Sequence, residues 1–393
     1  MTNEVVIAGY ARTPMGGFQG ELSAKTAPEL GGIAIAAALK SAGVDEVDVD
    51  ELIMGNVLSA GVGQAPARQA GFLGGLPKEV PASTLNKMCG SGMKTVMIAS
   101  DMVRAGSADV VVAGGMESMT NAPYLSIKTR GGARMGHIEM KDHMFLDGLE
   151  DAYEPGRLMG TYADDCAQNF QFTREAQDEY ALASLSRALR AEEDGSFKGE
   201  IATVEVKTRK ATVAIRKDEQ PANARPEKIP TLRPAFHKDG TVTAANASSI
   251  SDGAAAMVIT SAEQAEKLGM KARARIMGYE SYAAEPENFP TAPIPPTRKL
   301  LAKLGWDIDD VDLFEVNEAF AVVPMAFMRE LGVSHDKVNV NGGACALGHP
   351  IGASGARILV TLLSALEKRG LRRGVAAICI GGGEGTAIAI ERL

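Results

Sequence analysis

The fold is indicated by two similar stretches of sequence, Ala108-Asp-Val-Val-Val-Ala-Gly114-Gly115 and Val375-Ala-Ala-Ile-Cys-Ile-Gly381-Gly382. Each is an apolar run of strand length that ends in glycines. Three further pairs of similar segments follow the same order at nearly constant spacing, and they begin at Val5 and Ala274, at Val49 and Val311, and at Cys89 and His349. Together the four pairs indicate two copies of one unit.

Each copy alternates strand-like and helix-like segments, which predicts an α/β fold with helices covering mixed sheets. Predicted helices span residues 28–40, 93–105, 294–304, 319–331 and 351–368, and predicted strands of the second copy span 312–316, 337–340 and 375–380. The pattern changes after Met119, where a unit with irregular loops, a helix at 174–193 and two short strands is inserted. We therefore divide the chain into an N-terminal half (1–118 with 246–270), an inserted loop domain (119–245) and a C-terminal half (271–393).

Composition excludes several classes of protein. The 393 residues are 45% hydrophobic and 23% charged with a net charge of −8, which argues against a nucleic-acid partner. The four cysteines lack metal-ligand or disulfide-framework spacing, so we expect free thiols in a reducing compartment and no metal. No targeting segment or membrane-spanning apolar run is recognised, and the expected location is the cytoplasm, away from membranes.

Cys89 follows a predicted strand (79–85) and precedes the predicted helix at 93–105. A helix N-terminus carries unpaired N–H groups and a partial positive charge, both of which favour a reactive thiolate. A small buried core cysteine is the alternative, and position alone does not decide between them.

Three other turns carry chemical groups at strand ends or helix starts: Asn317-Glu318-Ala319-Phe320, the segment from Asn341 to Gly355 with His349, and Cys379-Ile-Gly-Gly-Gly-Glu-Gly385. If the copies are related by a pseudo-twofold axis, Cys89 and His349 occupy equivalent corners and form a nucleophile with its base. The glycines after Cys379 suit a backbone that donates N–H groups to a ligand. Glu318 is either an acid/base or a group that ties down its own turn, and Cys166 is predicted to lie in the core.

The whole chain resembles the thiolases, and within them the biosynthetic acetyl-CoA acetyltransferases. The matching strings are Asn86-Lys-Met-Cys89-Gly-Ser-Gly-Met-Lys94, Gly114-Gly-Met-Glu-Ser-Met119, Asn246-Ala-Ser248-Ser-Ile-Ser-Asp252-Gly-Ala-Ala, Asn317-Glu-Ala-Phe320, Asn341-Gly-Gly-Ala-Cys-Ala-Leu-Gly-His349-Pro-Ile-Gly352 and Cys379-Ile-Gly-Gly-Gly383. The resemblance implies a duplicated fold with layers in the order αβαβα. It also implies a homotetramer, a dimer of dimers assembled through the loop from Asn121 to Leu149.

The resemblance further implies a reversible Claisen condensation of two acetyl-CoA molecules to acetoacetyl-CoA and CoA. In this scheme Cys89, deprotonated by His349, carries the acetyl group, and Cys379 removes the α-proton of the second substrate. His349 and a water held by Asn317 stabilise the enolate, while the N–H groups of Cys89 and Gly381 hold the tetrahedral oxyanion. CoA thioesters are substrates, no cofactor is tightly bound, and the implied CoA contacts are Ser248, Leu149, Met159, Phe236 and Phe320.

The sequence departs from the biosynthetic pattern at Leu158, where histidine is frequent, and at Phe289, where methionine is frequent. A frequent arginine is replaced near Ala222 and Asn223, with Arg225 as a candidate substitute. These departures leave a degradative 3-ketoacyl-CoA thiolase as the nearest alternative. A decarboxylating condensing enzyme is disfavoured because Asn317 stands where that class has a second histidine, and a non-catalytic acyl-CoA-binding relative is disfavoured because Cys89, His349 and Cys379 are all present.

The segment from Glu205 to Lys217 has a local charge excess suited to steering phosphates, with Lys207, Arg209, Lys210, Arg216 and Lys217 against one glutamate. A solvated hairpin without a binding role is the alternative interpretation.

Overall fold

The computed structural model describes residues 4–393. Its strands are β1 (Val5–Arg12), β2 (Gly16–Gly17), β3 (Glu51–Gly55), β4 (Ala82–Leu85), β5 (Val110–Ser118), β6 (Tyr124–Leu125), β7 (Lys141–Asp142), β8 (Val204–Lys207), β9 (Thr212–Ile215), β10 (Ser251–Ser261), β11 (Ala274–Ala283), β12 (Leu313–Val316), β13 (Arg373–Ile380) and β14 (Glu384–Arg392). Its α-helices are α1 (Ala27–Ala42), α2 (Pro66–Leu73), α3 (Ser91–Ala105), α4 (Met159–Asn169), α5 (Arg174–Glu193), α6 (Glu219–Asn223), α7 (Ala262–Lys267), α8 (Ile294–Leu304), α9 (Val322–Leu331), α10 (Ala344–Leu347) and α11 (Ile351–Arg369).

The main sheet consists of two half-sheets with the same topology. The strand order is β4-β3-β5-β10-β1 in the N-terminal half and β12-β13-β14-β11 in the C-terminal half, joined where β1 pairs with β11. In each half a parallel pair is followed by two antiparallel pairings, and β1 and β11 carry a register shift at matching places, before Gly9 and before Gly278. The predicted duplicated α/β fold is therefore confirmed.

The predicted strand at 337–340 is wrong. Residues His335–Lys337 form a single 3-10 turn, and Val338 makes one isolated bridge with Phe314. The chain cannot continue as a strand because Asn339 has a φ of 48°, in the left-handed region. The Asn339 side chain replaces the missing strand neighbour: it accepts from the N–H of Val316 at 2.8 Å and donates to the carbonyl of Val316 at 2.8 Å.

Helices and half-sheets alternate in five layers, in the predicted order αβαβα. Helices α3 and α11 lie between the inner faces of the two half-sheets, α1 and α2 cover one outer face, and α8 and α9 cover the other. The two central helices cross at glycines: a Cβ on Gly92 would lie 2.8 Å from the nitrogen of Ala356, and one on Gly355 would lie 2.5 Å from the nitrogen of Met93. This close approach brings the start of α3 beside the start of α11.

Local signals fix most helix ends. Thr26 and Glu29 form a capping box at the start of α1, and Gly43 ends the helix in the left-handed conformation. The helix predicted to start at residue 319 begins instead at Val322. The preceding residues are held in a turn, because Ala321 donates its N–H to the carbonyl of Asn246 and Ala319 accepts from the N–H of Ser248.

The inserted region contributes α4, α5 and the hairpin of β8 and β9, and Thr173 caps α5 as predicted. It is fastened to β1 by a buried ionic cluster in which the Arg12 guanidinium contacts Glu200 at 2.5 Å and Asp218 at 2.7 Å. The boundaries of this domain at 119 and 245 stay a prediction.

Within residues 4–393, no helix combines the length and the apolar character needed to cross a bilayer.

Candidate active site

Cys89 lies on a tight turn immediately before α3. Met88 has a φ of 46°, unusual for a residue with a side chain, and the turn is closed by its own hydrogen bonds. The N–H of Lys87 donates to the hydroxyl of Ser91 at 2.8 Å, and that hydroxyl donates to the carbonyl of Met88 at 2.6 Å. The thiol is therefore held half-buried in one orientation at the start of the helix.

His349 lies at the equivalent position before α11 and is buried. The hydroxyl of Ser354 donates to the carbonyl of Pro350 at 2.9 Å, so it accepts the proton on Nδ1 of His349, 2.6 Å away. This arrangement assigns the tautomer and leaves Nε2 unprotonated, as the acceptor of a long hydrogen bond of 3.4 Å from Nδ2 of Asn317. Burial, reinforced by the charge of Arg357, lowers the pKa of His349 to about 3, so the imidazole is a neutral base.

Cys379 ends β13 and is buried. The turn of β13 and β14 follows, with Gly382 and Gly383 at φ values of 88° and 83° that favour glycine. This turn brings the N–H of Gly381 close to Cys89, where it and the N–H of Cys89 itself lower the pKa of the thiol. Burial raises the pKa of Cys379 well above its ordinary value, and the nearby Cys89 raises it further. Two thiols and two convergent N–H donors therefore occupy one site.

Burial opposes the thiolate that the helix N-terminus is expected to favour at Cys89. Burial raises the pKa of Cys89 to about 11, although the N–H donors of Gly381 and Cys89 lower it, and the charge of Glu117 raises it. Desolvation outweighs the local donors because the thiol is packed among apolar side chains, including Val57, Leu58 and Ile351. The raised pKa of Cys89 and the lowered pKa of His349 both favour a neutral thiol beside a neutral imidazole.

We therefore expect alkylation of Cys89 by iodoacetamide to keep accelerating from about pH 8 to about pH 10, because the thiolate is the reactive form and forms only at high pH. The rate is followed by mass analysis of the Cys89 peptide, with a small-molecule thiol as the reference. His349, with a pKa of about 3, stays unprotonated between about pH 8 and about pH 5, so its own titration does not change the alkylation rate in that range. An alkylation rate that levels off below about pH 8 would contradict a protonated resting thiol.

Asn317 and Glu318 follow β12 on one turn, and both are buried. Oδ1 of Asn317 accepts no hydrogen bond from residues 4–393, so it is available to a ligand or water. The Glu318 carboxylate accepts from the hydroxyls of Tyr180 and Ser184 and from Nδ2 of Asn339, all at 2.8 Å, and from the N–H of Cys345 at 3.0 Å. These contacts join Glu318 to α5 and to the segment before His349 and favour a structural role, although they do not lie within its own turn.

The five predicted CoA contacts lie around this centre. Met159 contacts the Gly381 turn, its sulfur 3.7 Å from the place of a Cβ on Gly381, and Phe236 packs edge-on against Phe320 with ring centroids 6.0 Å apart. Ser248 is joined to the same region by its N–H, which donates to the carbonyl of Ala319. Leu149 lies on the other side, against the apolar cluster that also contacts Cys89.

A cavity of about 290 Å³ extends this region toward the inserted domain. Two cations line it, Arg225 and Lys228, together with Leu232, Ala244 and Ser249. The sequence suggests Arg225 only as a substitute for the frequent arginine that is absent near Ala222 and Asn223. It does not single out Lys228, because nothing in the local pattern links residue 228 to the Ser248 turn. The exposed cations of the β8–β9 hairpin do not line this cavity, so their steering role stays a prediction.

Sequence reasoning also missed three supporting groups. Ser354 fixes the His349 tautomer, as described above. Glu117 accepts from the N–H groups of Val57, Leu58 and Gly352, and its burial raises its pKa to about 7. His143, which had no evident partner in the sequence, contacts Asp147 at 2.6 Å.

Within residues 4–393, no group of three or more His, Cys, Asp or Glu side chains has metal-site geometry.

The reaction centre and the duplicated fold can now be set beside known proteins. Two family profiles match in succession, the thiolase N-terminal domain over residues 5–263 and the thiolase C-terminal domain over residues 270–392. The chain belongs to the thiolase family. The two profiles together span both halves and the inserted region.

Individual thiolases resemble the chain over its full length. It is 52% identical to acetyl-CoA acetyltransferase 2 of Arabidopsis thaliana, covering 99% of this chain and 97% of that protein. It is 48% identical to an acetyl-CoA acetyltransferase of Pseudomonas aeruginosa, covering 99% of each. The crystal structure of the Bacillus anthracis acetyl-CoA acetyltransferase superposes with a TM-score of 0.96 at 41% identity, covering 100% of this chain and 99% of that one.

Proposed function

We propose that this thiolase is an acetyl-CoA C-acetyltransferase that joins two acetyl-CoA molecules into acetoacetyl-CoA and CoA through an acetyl group on Cys89. The single observation that carries the proposal is the convergence of Cys89, Cys379 and the N–H of Gly381. The curated relatives named above as acetyl-CoA acetyltransferases support the same substrate.

In the first half-reaction, Nε2 of His349 takes the proton of Cys89 while the sulfur attacks the thioester carbon of acetyl-CoA. The tetrahedral oxyanion lies between the N–H groups of Cys89 and Gly381, and removal of one such donor typically costs about 2.7–4 kcal/mol of barrier. As the carbon–sulfur bond to CoA breaks, the neutral thiol of Cys379 gives its proton to the departing CoA thiolate. Acetyl-Cys89, imidazolium and a Cys379 thiolate remain.

In the second half-reaction, the Cys379 thiolate removes the α-proton of a second acetyl-CoA. The enolate oxygen is stabilised by the protonated His349 and by a water bound to Asn317, whose Oδ1 has no other partner in residues 4–393. The enolate carbon attacks acetyl-Cys89, and the Cys89 thiolate leaves and regains its proton from His349. Both thiols return to their neutral resting forms, in agreement with their raised pKa values.

Phe289 supports a preference for short acyl groups. Its buried ring packs edge-on between Tyr162 and Phe320, with centroids 6.1 Å and 6.3 Å away. Phe320 is itself a proposed CoA contact, so we propose that this aromatic cluster limits the room beside the thioester. A degradative 3-ketoacyl-CoA thiolase needs room for a longer chain at this place, which makes Phe289 the residue to test.

We expect thiolysis of acetoacetyl-CoA to have the highest kcat/KM in a series of 3-ketoacyl-CoA chain lengths. The variant Phe289→Leu is expected to raise the kcat/KM ratio of 3-ketohexanoyl-CoA to acetoacetyl-CoA by about tenfold, since one or two methylenes in an apolar pocket are worth 10–200-fold. Phe327→Leu, a buried phenylalanine packed against Phe314, is the control for a general loss of packing. A wild-type maximum at a longer chain would establish the degradative alternative.

The cations Arg225 and Lys228 are proposed to bind CoA phosphates, because they line the cavity next to Ser249.

We also propose the dimer-of-dimers assembly for this chain. Its support is an exposed apolar loop with Tyr124, Ile127, Met135, Ile138 and Met140 largely open to solvent. The cytoplasmic location stays a prediction.

A further inference from the structure

Lys87 and Glu384 form an ion pair between the two turns that build the reaction centre. Lys87 precedes Cys89 by two residues and belongs to the same hydrogen-bonded turn, since its N–H donates to Ser91. Glu384 follows Gly381 by three residues and pairs with Ile380 at the start of β14. The ion pair therefore joins the turn that carries the thiol to the turn that carries an N–H donor.

The same two turns touch at other points. Gly90 packs directly on Ile380, because a Cβ on Gly90 would lie 2.4 Å from Cδ1 of that side chain. The N–H of Gly381 lies close enough to the Cys89 sulfur to lower the pKa of that thiol. The ion pair lies at the edge of this contact, with 22% of the Lys87 side chain and 37% of the Glu384 side chain exposed. It can be changed without removing a buried group.

We propose that the Lys87–Glu384 ion pair is a positioning element that holds the Cys89 turn against the Gly381 turn and so keeps the oxyanion site closed. This inference rests on the proposed function. Neither side chain touches the reacting atoms in the proposed scheme. Their effect is transmitted through the backbone of the two turns.

Charge gives the two partners unequal importance. Loss of Lys87 leaves the carboxylate of Glu384 unpaired beside the place where negative charge develops on the tetrahedral intermediate. Repulsion between these two negative charges raises the barrier further. Loss of Glu384 leaves a cation there, which does not oppose the oxyanion. An exposed ion pair that served stability alone would contribute little and would show no such order.

The test is a charge-swap cycle in the full-length protein. For Lys87→Met we expect kcat for acetoacetyl-CoA thiolysis to fall by about tenfold with KM nearly unchanged, because a misplaced oxyanion donor weakens only the transition state. For Glu384→Gln we expect kcat to fall by about threefold. For the double variant Lys87→Glu with Glu384→Lys we expect kcat to return to within about threefold of the wild-type value, because the two sites are directly coupled. Lys368→Met, which removes a more exposed ion pair with Asp194 at the end of α11 farthest from His349, is the control.

Melting temperatures and wild-type acetylation of Cys89 are recorded in the same series. If the single variants keep wild-type kcat, or if the swapped pair is as slow as Lys87→Met, the positioning role is wrong. If the wild-type protein itself forms no acetyl-Cys89, the proposed function fails instead, which separates the two failures.

Discussion

Cys379→Ser is expected to stop carbon–carbon bond formation while leaving acetylation of Cys89 intact. Cys379 is proposed as the base that removes the α-proton, and a serine hydroxyl is far too weak an acid to form the corresponding anion. Loss of a general base typically costs 10²–10⁴-fold, so condensation and thiolysis should fall by about that factor. Acetylation should slow far less than condensation, because Cys89, His349 and the N–H donors remain and the leaving thiolate of CoA can take its proton from water in place of Cys379.

The variant is assayed twice, by steady-state thiolysis and by the mass of the protein after addition of acetyl-CoA. Cys166→Ser is the matched control, because Cys166 is also a buried cysteine, on α4, but has no proposed part in the reaction. Equal losses in acetylation and condensation would contradict the separate roles assigned to the two thiols.

Cys89→Ala is expected to abolish both half-reactions. The acetyl group then has no carrier, and loss of a catalytic nucleophile costs about 10⁶-fold in kcat in well-studied hydrolases. The fold should survive, because Cys89 is half-buried and the turn is closed by hydrogen bonds of Lys87 and Ser91 that do not involve the thiol. Thiolysis and the acetyl adduct should both disappear while the melting temperature changes little.

Cys345→Ala is the control for Cys89→Ala, since it removes a half-buried thiol at the cavity that lies beside the centre. It should retain acetylation of Cys89. Residual thiolysis of Cys89→Ala above about 1% of wild type would show that acyl transfer proceeds without this thiol.

The features that sequence predicted well are those repeated in it. The paired segments at β1 and β11, β3 and β12, and β5 and β13 reveal the duplication, and the duplication by itself predicts that Cys89 lies opposite His349. Helix α5 was predicted at its observed limits because Thr173 is a capping residue that acts locally. These signals need no knowledge of distant packing.

The features that sequence did not predict depend on contacts between distant residues. The strand expected at 337–340 fails because Asn339 bonds to Val316, 23 positions earlier. The raised pKa of Cys89 follows from burial among Val57, Leu58 and Ile351, which lie on two separate segments. The cavity cations Arg225 and Lys228 face Ser249 only once the inserted domain has folded over the C-terminal half.

The most direct test of the central claim is to locate the acetyl group after the protein is mixed with acetyl-CoA and quenched in acid. Peptide mapping of wild-type protein should find one acetyl group, as a thioester on Cys89, which disappears when free CoA is added in excess before quenching. An acetyl group on Cys379 or Cys345 instead, or no adduct in a preparation that carries out thiolysis, would contradict the account.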